Sequence, residues 1–81
     1  MLIALDYDKT YTADPALWSD FIVIAQKRGH AVKIVTMRSP DEEIIGAQIE
    51  VVYTNRKAKS SVVSADIWID DSPSWIYQDS L

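Results

Sequence analysis

Cysteine is absent from the 81 residues of the chain. Its absence excludes disulfides, thiolate zinc sites and cysteine nucleophiles, and it is typical of proteins in a reducing compartment. No apolar run comes near the ~18–20 residues that cross a membrane, and the first residues lack the basic start and longer apolar stretch of a signal peptide. We therefore expect a cytoplasmic protein that does not enter a membrane.

Basic residues are also few. Eight Lys and Arg stand against twelve Asp and Glu, which gives a formal net charge of −4. This balance argues against a nucleic-acid surface, which usually carries a basic patch. Arg56, Lys57 and Lys59 still lie close together, so a local cationic site is compatible with the acidic whole. At this length we expect one small domain, residues 1–81.

Short apolar segments alternate with segments of helical spacing. The run from Leu2 to Leu5 predicts a buried strand. Asp14 and Pro15 are typical of a helix start, and Gly29 is typical of its end. Similar signals predict strands at 31–36, 49–54 and 66–70 and a loop at 9–13. A capping box at 39–42 predicts the start of a helix at 40–46, and short helices are predicted at 58–65 and 73–77. This alternation predicts an α/β fold with a parallel four-stranded sheet between helices.

Polar side chains follow the ends of the predicted strands. The right-handed crossover rule brings the carboxyl ends of all parallel strands to one edge of the sheet, where open α/β sheets bind ligands. Asp6 and Asp8, two residues apart, can point the same way. We therefore expect one edge of the sheet to gather Asp6, Asp8, Thr36, Thr54, Asp70 and Asp71.

Three or more carboxylates at one edge repel each other and raise each other's pKa unless a cation is present. Mg²⁺ suits a site of a few carboxylates, water and a substrate phosphate. The hydroxyl of Thr36 and the ammonium of Lys57 or Lys59 can hold phosphate oxygens. One carboxylate can then attack phosphorus, and another can carry the proton of the leaving oxygen.

In this pattern the chain resembles phosphatases of the haloacid dehalogenase (HAD) superfamily over nearly its whole length. The segment Ile3-Ala-Leu-Asp6-Tyr-Asp8-Lys-Thr10 is similar to the family's apolar strand followed by Asp-x-Asp-x-Thr. The segment Ile34-Val-Thr36 is similar to the strand that ends in Thr or Ser. A lone lysine and the closing acidic pair Asp70-Asp71 complete the four motifs.

The resemblance implies roles for these residues. Asp6 would be the nucleophile and a Mg²⁺ ligand, and Asp8 the general acid/base, with its backbone carbonyl on the metal. Thr36 would donate a hydrogen bond to the transferring phosphoryl group. Lys59 would neutralise that group, and it is preferred to Lys57 because it starts the helix before the last strand. Asp70 and Asp71 would complete the metal site, and the implied strand order is 4-1-2-3.

The sequence departs from the family in having no cap domain. Only residues 9–13 and 55–58 occupy the two usual insertion points. We therefore expect a site open to solvent, which would admit a bulky phosphorylated substrate or be closed by a second subunit in a homo-oligomer.

Two other functions fit parts of the pattern. A binding or regulatory module could keep the site without turnover. A receiver domain also uses a phosphorylated Asp with Thr and Lys, but receivers carry the acidic pair early and the phosphorylated Asp mid-chain, whereas this chain has the reverse order. Beside the site, Arg38 and Arg56 are expected at the solvated surface, and Trp18 and Trp75 are expected to cover a thin core.

Overall fold

The computed structural model describes all 81 residues as four strands and three α-helices. In chain order these are β1 (Leu2–Leu5), α1 (Pro15–Lys27), β2 (Ala31–Thr36), β3 (Val51–Tyr53), α2 (Lys59–Val62), β4 (Ile67–Ile69) and α3 (Ser74–Tyr77). A 3₁₀ helix at Tyr11–Ala13 replaces the predicted loop before α1. No helix has both the length and the apolar character needed to cross a membrane, and the longest, α1, has 13 residues.

The strands form one parallel sheet in the order β3-β2-β1-β4. This is the predicted order read from the opposite edge, so the α/β fold and the sheet order are confirmed. β1 is central, with Leu5 opposite Ile34 on one side and Ile69 on the other. The carboxyl ends of β1, β2 and β4 therefore lie side by side.

Helix α1 begins and ends where the sequence predicts. The Asp14 carboxylate accepts a hydrogen bond from the Leu17 N–H at 3.2 Å, which satisfies one free donor of the first turn. After the last turn Gly29 takes a φ of +83°, a conformation that glycine adopts without steric cost. Ile22 and Ala25 face the sheet, and this face of the helix covers a core that also contains the side chains of Ile3, Leu5 and Val32.

The opposite face of the sheet carries a smaller apolar cluster. Ala4, Val35 and Val63 are buried there, and the partly buried Trp68 packs against them. Val63 is extended and directly follows α2, so the helix predicted at 58–65 is shortened to four residues. The helix therefore ends just before Val63, whose side chain is buried in this second cluster.

The predicted helix at 40–46 is wrong. The capping-box contact does form, because Glu42 Oε1 accepts the Ser39 N–H at 3.0 Å, but the Glu42 N–H closes a turn onto the Ser39 carbonyl. The Ile44 N–H then donates to the Tyr53 hydroxyl at 2.9 Å, whereas a helix would direct it to the carbonyl of residue 40. A contact with β3 has replaced a helical hydrogen bond of a segment too short to be helical on its own.

Candidate active site

A pocket of about 190 Å³ opens at the carboxyl edge of the sheet. Its walls come from the segments that follow β1, β2 and β4 and from the first turn of α2. All four residues predicted to be catalytic line it, together with both members of the acidic pair. The lining residues are Asp6, Asp8, Lys9, Thr36, Met37, Lys59, Asp70, Asp71, Ser72 and Trp75.

The buried centre of the pocket is an ion cluster of Asp6, Lys59 and Asp70. The Lys59 ammonium donates to Asp6 Oδ1 at 2.7 Å and to Asp70 Oδ2 at 2.6 Å. The side chains of Lys59 and Asp70 are each 3% exposed, and that of Asp6 is 11% exposed. These charge-assisted bonds are shielded from solvent, so they are much stronger than a surface ion pair.

Of the two candidate lysines, Lys59 is the one that the structure brings to the carboxylates. It is the first residue of α2, and its side chain extends into the cluster. Lys57 instead lies 68% exposed, with its ammonium 3.9 Å from Asp79. The structure therefore brings Lys59, and not Lys57, into contact with Asp6 and Asp70.

Thr10 links Asp6 to the exposed Asp71. Its hydroxyl oxygen lies 2.9 Å from Asp6 Oδ2 and 3.1 Å from Asp71 Oδ1, and it accepts the Asp71 N–H at 3.3 Å. The Thr10 carbonyl accepts the Trp18 indole N–H at 2.8 Å, which anchors this loop to α1. No role was predicted for Thr10, although its place in Asp-x-Asp-x-Thr was the available signal. It orients two carboxylates.

The donor set fits a hard divalent cation. Asp6, Asp70 and Asp71 each offer a carboxylate oxygen, and these three oxygens lie within 4.8 Å of one another. Three carboxylates and one ammonium leave a formal charge of −2 around the pocket. Oxygen donors of this charge suit Mg²⁺, which takes one or two carboxylates together with water and phosphate oxygens.

Burial also changes the protonation of the cluster. Loss of solvent raises the pKa of Asp6 from 3.8 to about 6, against the opposing effect of Lys59. The pKa of Asp71 is lowered, chiefly because its carboxylate accepts a hydrogen bond from Asp6. Without a cation, Asp6 therefore takes up a proton before Asp71 does.

The Asp8 carboxylate lies outside this cluster, in a bidentate ion pair with Arg38. Arg38 Nη2 donates to Asp8 Oδ1 at 2.7 Å and Nε to Oδ2 at 3.0 Å. The guanidinium also lies 5.1 Å from the centre of the Tyr7 ring. Arg38 was expected at the solvated surface, and instead it holds a site carboxylate. Whether the Asp8 backbone carbonyl binds metal stays a prediction.

Thr36 ends β2 at the floor of the pocket. Its side chain is buried, and its oxygen accepts the Arg38 N–H at 3.3 Å. The hydroxyl proton has no acceptor within the chain, so it can be donated to an anion in the pocket. The predicted contact of Thr36 with a phosphoryl group stays a prediction. Thr54, the other strand-end threonine, is not in the pocket, because its hydroxyl donates to the Lys57 carbonyl at 2.8 Å.

The loop after β1 is short and leaves the pocket open. Lys9 takes a φ of +66°, and the chain passes directly into the 3₁₀ helix and then α1. No inserted unit lies between these elements or between β3 and α2.

Comparisons of the chain with protein-family models, with curated proteins and with solved structures found no match. The function must therefore be inferred from the geometry of the site.

Proposed function

We propose that the chain is a Mg²⁺-dependent phosphohydrolase with a HAD-like fold, which cleaves phosphomonoesters through an aspartyl-phosphate on Asp6. The observation that supports this most is the buried contact of Lys59 with both Asp6 and Asp70, in a pocket that Asp8 and Thr36 also line. A buried cation held between carboxylates in an open pocket is an arrangement that suits anionic substrates and perturbed acid/base groups.

In the first half-reaction, an Asp6 carboxylate oxygen attacks phosphorus and forms a P–O bond. The bond from phosphorus to the ester oxygen breaks, and the departing oxygen takes a proton from Asp8. The alcohol leaves, and the phosphoryl group remains on Asp6. In the second half-reaction, Asp8 takes a proton from water, whose oxygen attacks phosphorus. Inorganic phosphate departs, and the carboxylate of Asp6 is restored.

Charge on the phosphoryl oxygens is balanced by groups already in place. The Lys59 ammonium contacts the Asp6 oxygen, so it lies beside any group that bonds there. The Thr36 hydroxyl is held by the Arg38 N–H with its own proton free to donate. Because both side chains are buried, neither has to reorganise as charge develops. Mg²⁺ held by Asp6, Asp70 and Asp71 would act as a Lewis acid on a phosphoryl oxygen.

The placement of Asp8 suits a proton carrier. Its carboxylate is about half exposed and held by the fork of Arg38, so it can exchange protons with water and meet a leaving group at the rim. Asp6 and Asp8 thus have different surroundings. Asp6 is in the buried ion cluster, and Asp8 is at its solvent side.

A phosphatase assay tests the proposal. Purified chain should hydrolyse 4-nitrophenyl phosphate with Mg²⁺, and the activity should disappear in EDTA and in Asp6→Asn. Asp20→Asn is the matched control, because Asp20 is an exposed carboxylate on α1. Absence of hydrolysis across a broad panel of phosphate esters would contradict the proposal.

Beryllofluoride separates an enzyme from a binding module. With Mg²⁺ it should form a stable phosphoryl-like adduct on Asp6, detected by ¹⁹F NMR, and Asp6→Asn should give none. Metal binding without adduct formation would favour the binding module.

The open pocket also affects which substrates or protein partners can reach Asp6. With no unit over the pocket, we propose that a bulky phosphorylated substrate can reach Asp6, or that a second copy of the chain closes the site in a homo-oligomer. Sedimentation equilibrium distinguishes these, because a strict monomer would exclude the second.

A further inference from the structure

The pocket is smaller than a usual ligand site. Ligand sites usually measure about 300–1,000 Å³, whereas this pocket measures about 190 Å³. Eight of its ten lining residues are polar or charged, which suits a phosphoryl group and its cation. A large organic group of a substrate must therefore extend over the rim, and the rim then decides which large groups are favoured.

Trp75 is the only aromatic residue that lines the pocket. Its side chain is partly exposed, at 38% for the residue, and its indole packs against no other ring of the chain. Trp18 differs, because its indole N–H donates to the Thr10 carbonyl and its ring meets Phe21 edge to face. Trp18 is thus engaged within the fold, whereas Trp75 is partly exposed at the site and stacks on no ring of the chain.

The segment that carries Trp75 is held at both ends. Before α3, the Ser72 N–H donates to Asp70 Oδ1 at 2.9 Å, which ties the segment to the ion cluster. After α3, Asp79 Oδ1 accepts the Ala58 N–H at 2.7 Å. Between them Ile76 is buried. Trp75 is therefore a preorganised surface, so stacking on it would cost little ordering of the protein.

We infer that the site favours phosphate esters whose organic part carries a flat ring, with that ring stacked on Trp75. Two sources share this chemistry, the base of a nucleoside monophosphate and the phenol ring of an aryl phosphate. This inference names the substrate class of the proposed phosphatase and rests on that function. Stacking of a base on an aromatic side chain corresponds to a roughly 5- to 150-fold gain in affinity.

Binding of phosphonates tests the inference without requiring turnover, because their carbon–phosphorus bond resists hydrolysis. Calorimetry with Mg²⁺ would compare benzylphosphonate, a nucleoside 5′-methylenephosphonate and propylphosphonate. The wild-type chain should bind at least one ring-bearing ligand roughly 5- to 150-fold more tightly than propylphosphonate. The tighter of the two ring-bearing ligands identifies the source of the ring.

Three variants assign the preference to Trp75. Trp75→Leu keeps an apolar cover but lacks a flat ring, so it should bind all three phosphonates alike. Trp75→Phe should keep most of the preference. Tyr77→Ala is the matched control, because Tyr77 is an exposed aromatic on the same helix outside the pocket, and it should bind as the wild type does. Thermal melts establish that each variant is folded.

The results also separate this inference from the phosphatase proposal. Equal wild-type affinity for the three ligands, or equal weakening of all three in Trp75→Leu, would overturn the inference even if the chain is a phosphatase. A ring preference that depends on Trp75, without hydrolysis of any ester, would uphold the inference and leave a binding module. If Trp75→Leu does not fold, Trp75→Gln takes its place: loss of the ring preference in Trp75→Gln would support the inference, and its retention would overturn it.

Discussion

Replacing Lys59 by methionine is the sharpest test of the buried ion cluster. Methionine matches the length of the lysine stem but removes its charge, so Asp6 and Asp70 would lose the cation that lies 2.7 and 2.6 Å from them. Both carboxylates would stay inside, because their side chains are only 11% and 3% exposed. The change therefore leaves uncompensated charge where solvent cannot screen it.

The expected loss is large for so small a chain. Removing one partner of a buried ion pair costs about 3–5 kcal/mol. A chain of 81 residues has a free energy of unfolding of only about 4–12 kcal/mol. In EDTA at pH 7.5, Lys59→Met should thus lose a quarter or more of its stability and approach the threshold of unfolding. At lower pH the deficit should shrink, because protonated carboxyl groups no longer need the ammonium.

Urea denaturation followed by circular dichroism measures this loss, and Lys57→Met is the matched control. Lys57 is two residues away but 68% exposed, so its replacement should change the free energy of unfolding by less than about 0.5 kcal/mol. Equal effects of the two substitutions would refute the reasoning. They would show that the Lys59 ammonium does not compensate the buried carboxylates.

Mg²⁺ should rescue the variant more than it stabilises the wild type. Lys59→Met leaves three carboxylates with a formal charge of −3, one more negative than the natural cluster. The cation should bind this cluster more tightly, and a ligand that binds only the folded state stabilises by RT ln(1 + [L]/Kd). A Mg²⁺-induced rise in Tm that is no larger in the variant would contradict a metal site at Asp6, Asp70 and Asp71.

Two further expectations concern pH and proton transfer. In EDTA the wild type should lose about 2 kcal/mol of stability as pH rises from about 4 to about 6. The pKa of Asp6 is 3.8 when unfolded and about 6 when folded, so the folded state binds the extra proton in this range. Urea titrations across this range should show a flatter profile for Asp6→Asn, and an unchanged profile would contradict the assigned pKa. For catalysis, Asp8→Asn should lower kcat by about 10²–10⁴-fold. Arg38→Ala should lower kcat by a smaller factor than Asp8→Asn does, and it should change the free energy of unfolding by under about 1 kcal/mol. Steady-state kinetics would contradict the positioning role of Arg38 if kcat were unchanged in Arg38→Ala.

The parts of the fold that the sequence predicts well are those set by local signals. Asp14, Pro15 and Gly29 each act within one turn of α1, so both helix ends can be located from the chain alone. Parallel order follows from the alternation of strands and helices, since each crossover then has one allowed hand. The same rule brings Asp6 and Asp70 to one edge, although 64 residues separate them.

Prediction fails where a backbone group that a local pattern assigns to a helix is bound instead by a residue farther along the chain. The capping box at residues 39–42 is a valid helix start, and its side-chain contact forms. The Ile44 N–H is then claimed by the Tyr53 hydroxyl, nine residues along the chain on another strand. No pattern within residues 40–46 encodes that competition, so helix propensity was overridden by tertiary contact.

The ion pair of Arg38 with Asp8 was missed for a related reason. Position alone placed Arg38 just past the end of β2, at the correct edge of the sheet. The direction of the Arg38 side chain depends on the bend after Thr36 and on the Tyr7 ring beneath the guanidinium. Neither of these features can be read from the sequence. Thr10 is different, because its spacing from Asp6 carried the information and only its contact with Asp71 required the fold.

The ion cluster itself is difficult to explain by stability. Well-packed apolar side chains in place of a buried ion cluster are often as stable or more so. This chain has a thin second core and a small total stability, yet it buries Lys59 with Asp6 and Asp70. Together with the adjacent Asp71, these groups carry a formal charge of −2. Departures from the rules of stable packing concentrate at functional sites. An unbalanced negative cluster at the floor of an open pocket is therefore better explained by a bound cation and an anionic substrate than by its contribution to folding.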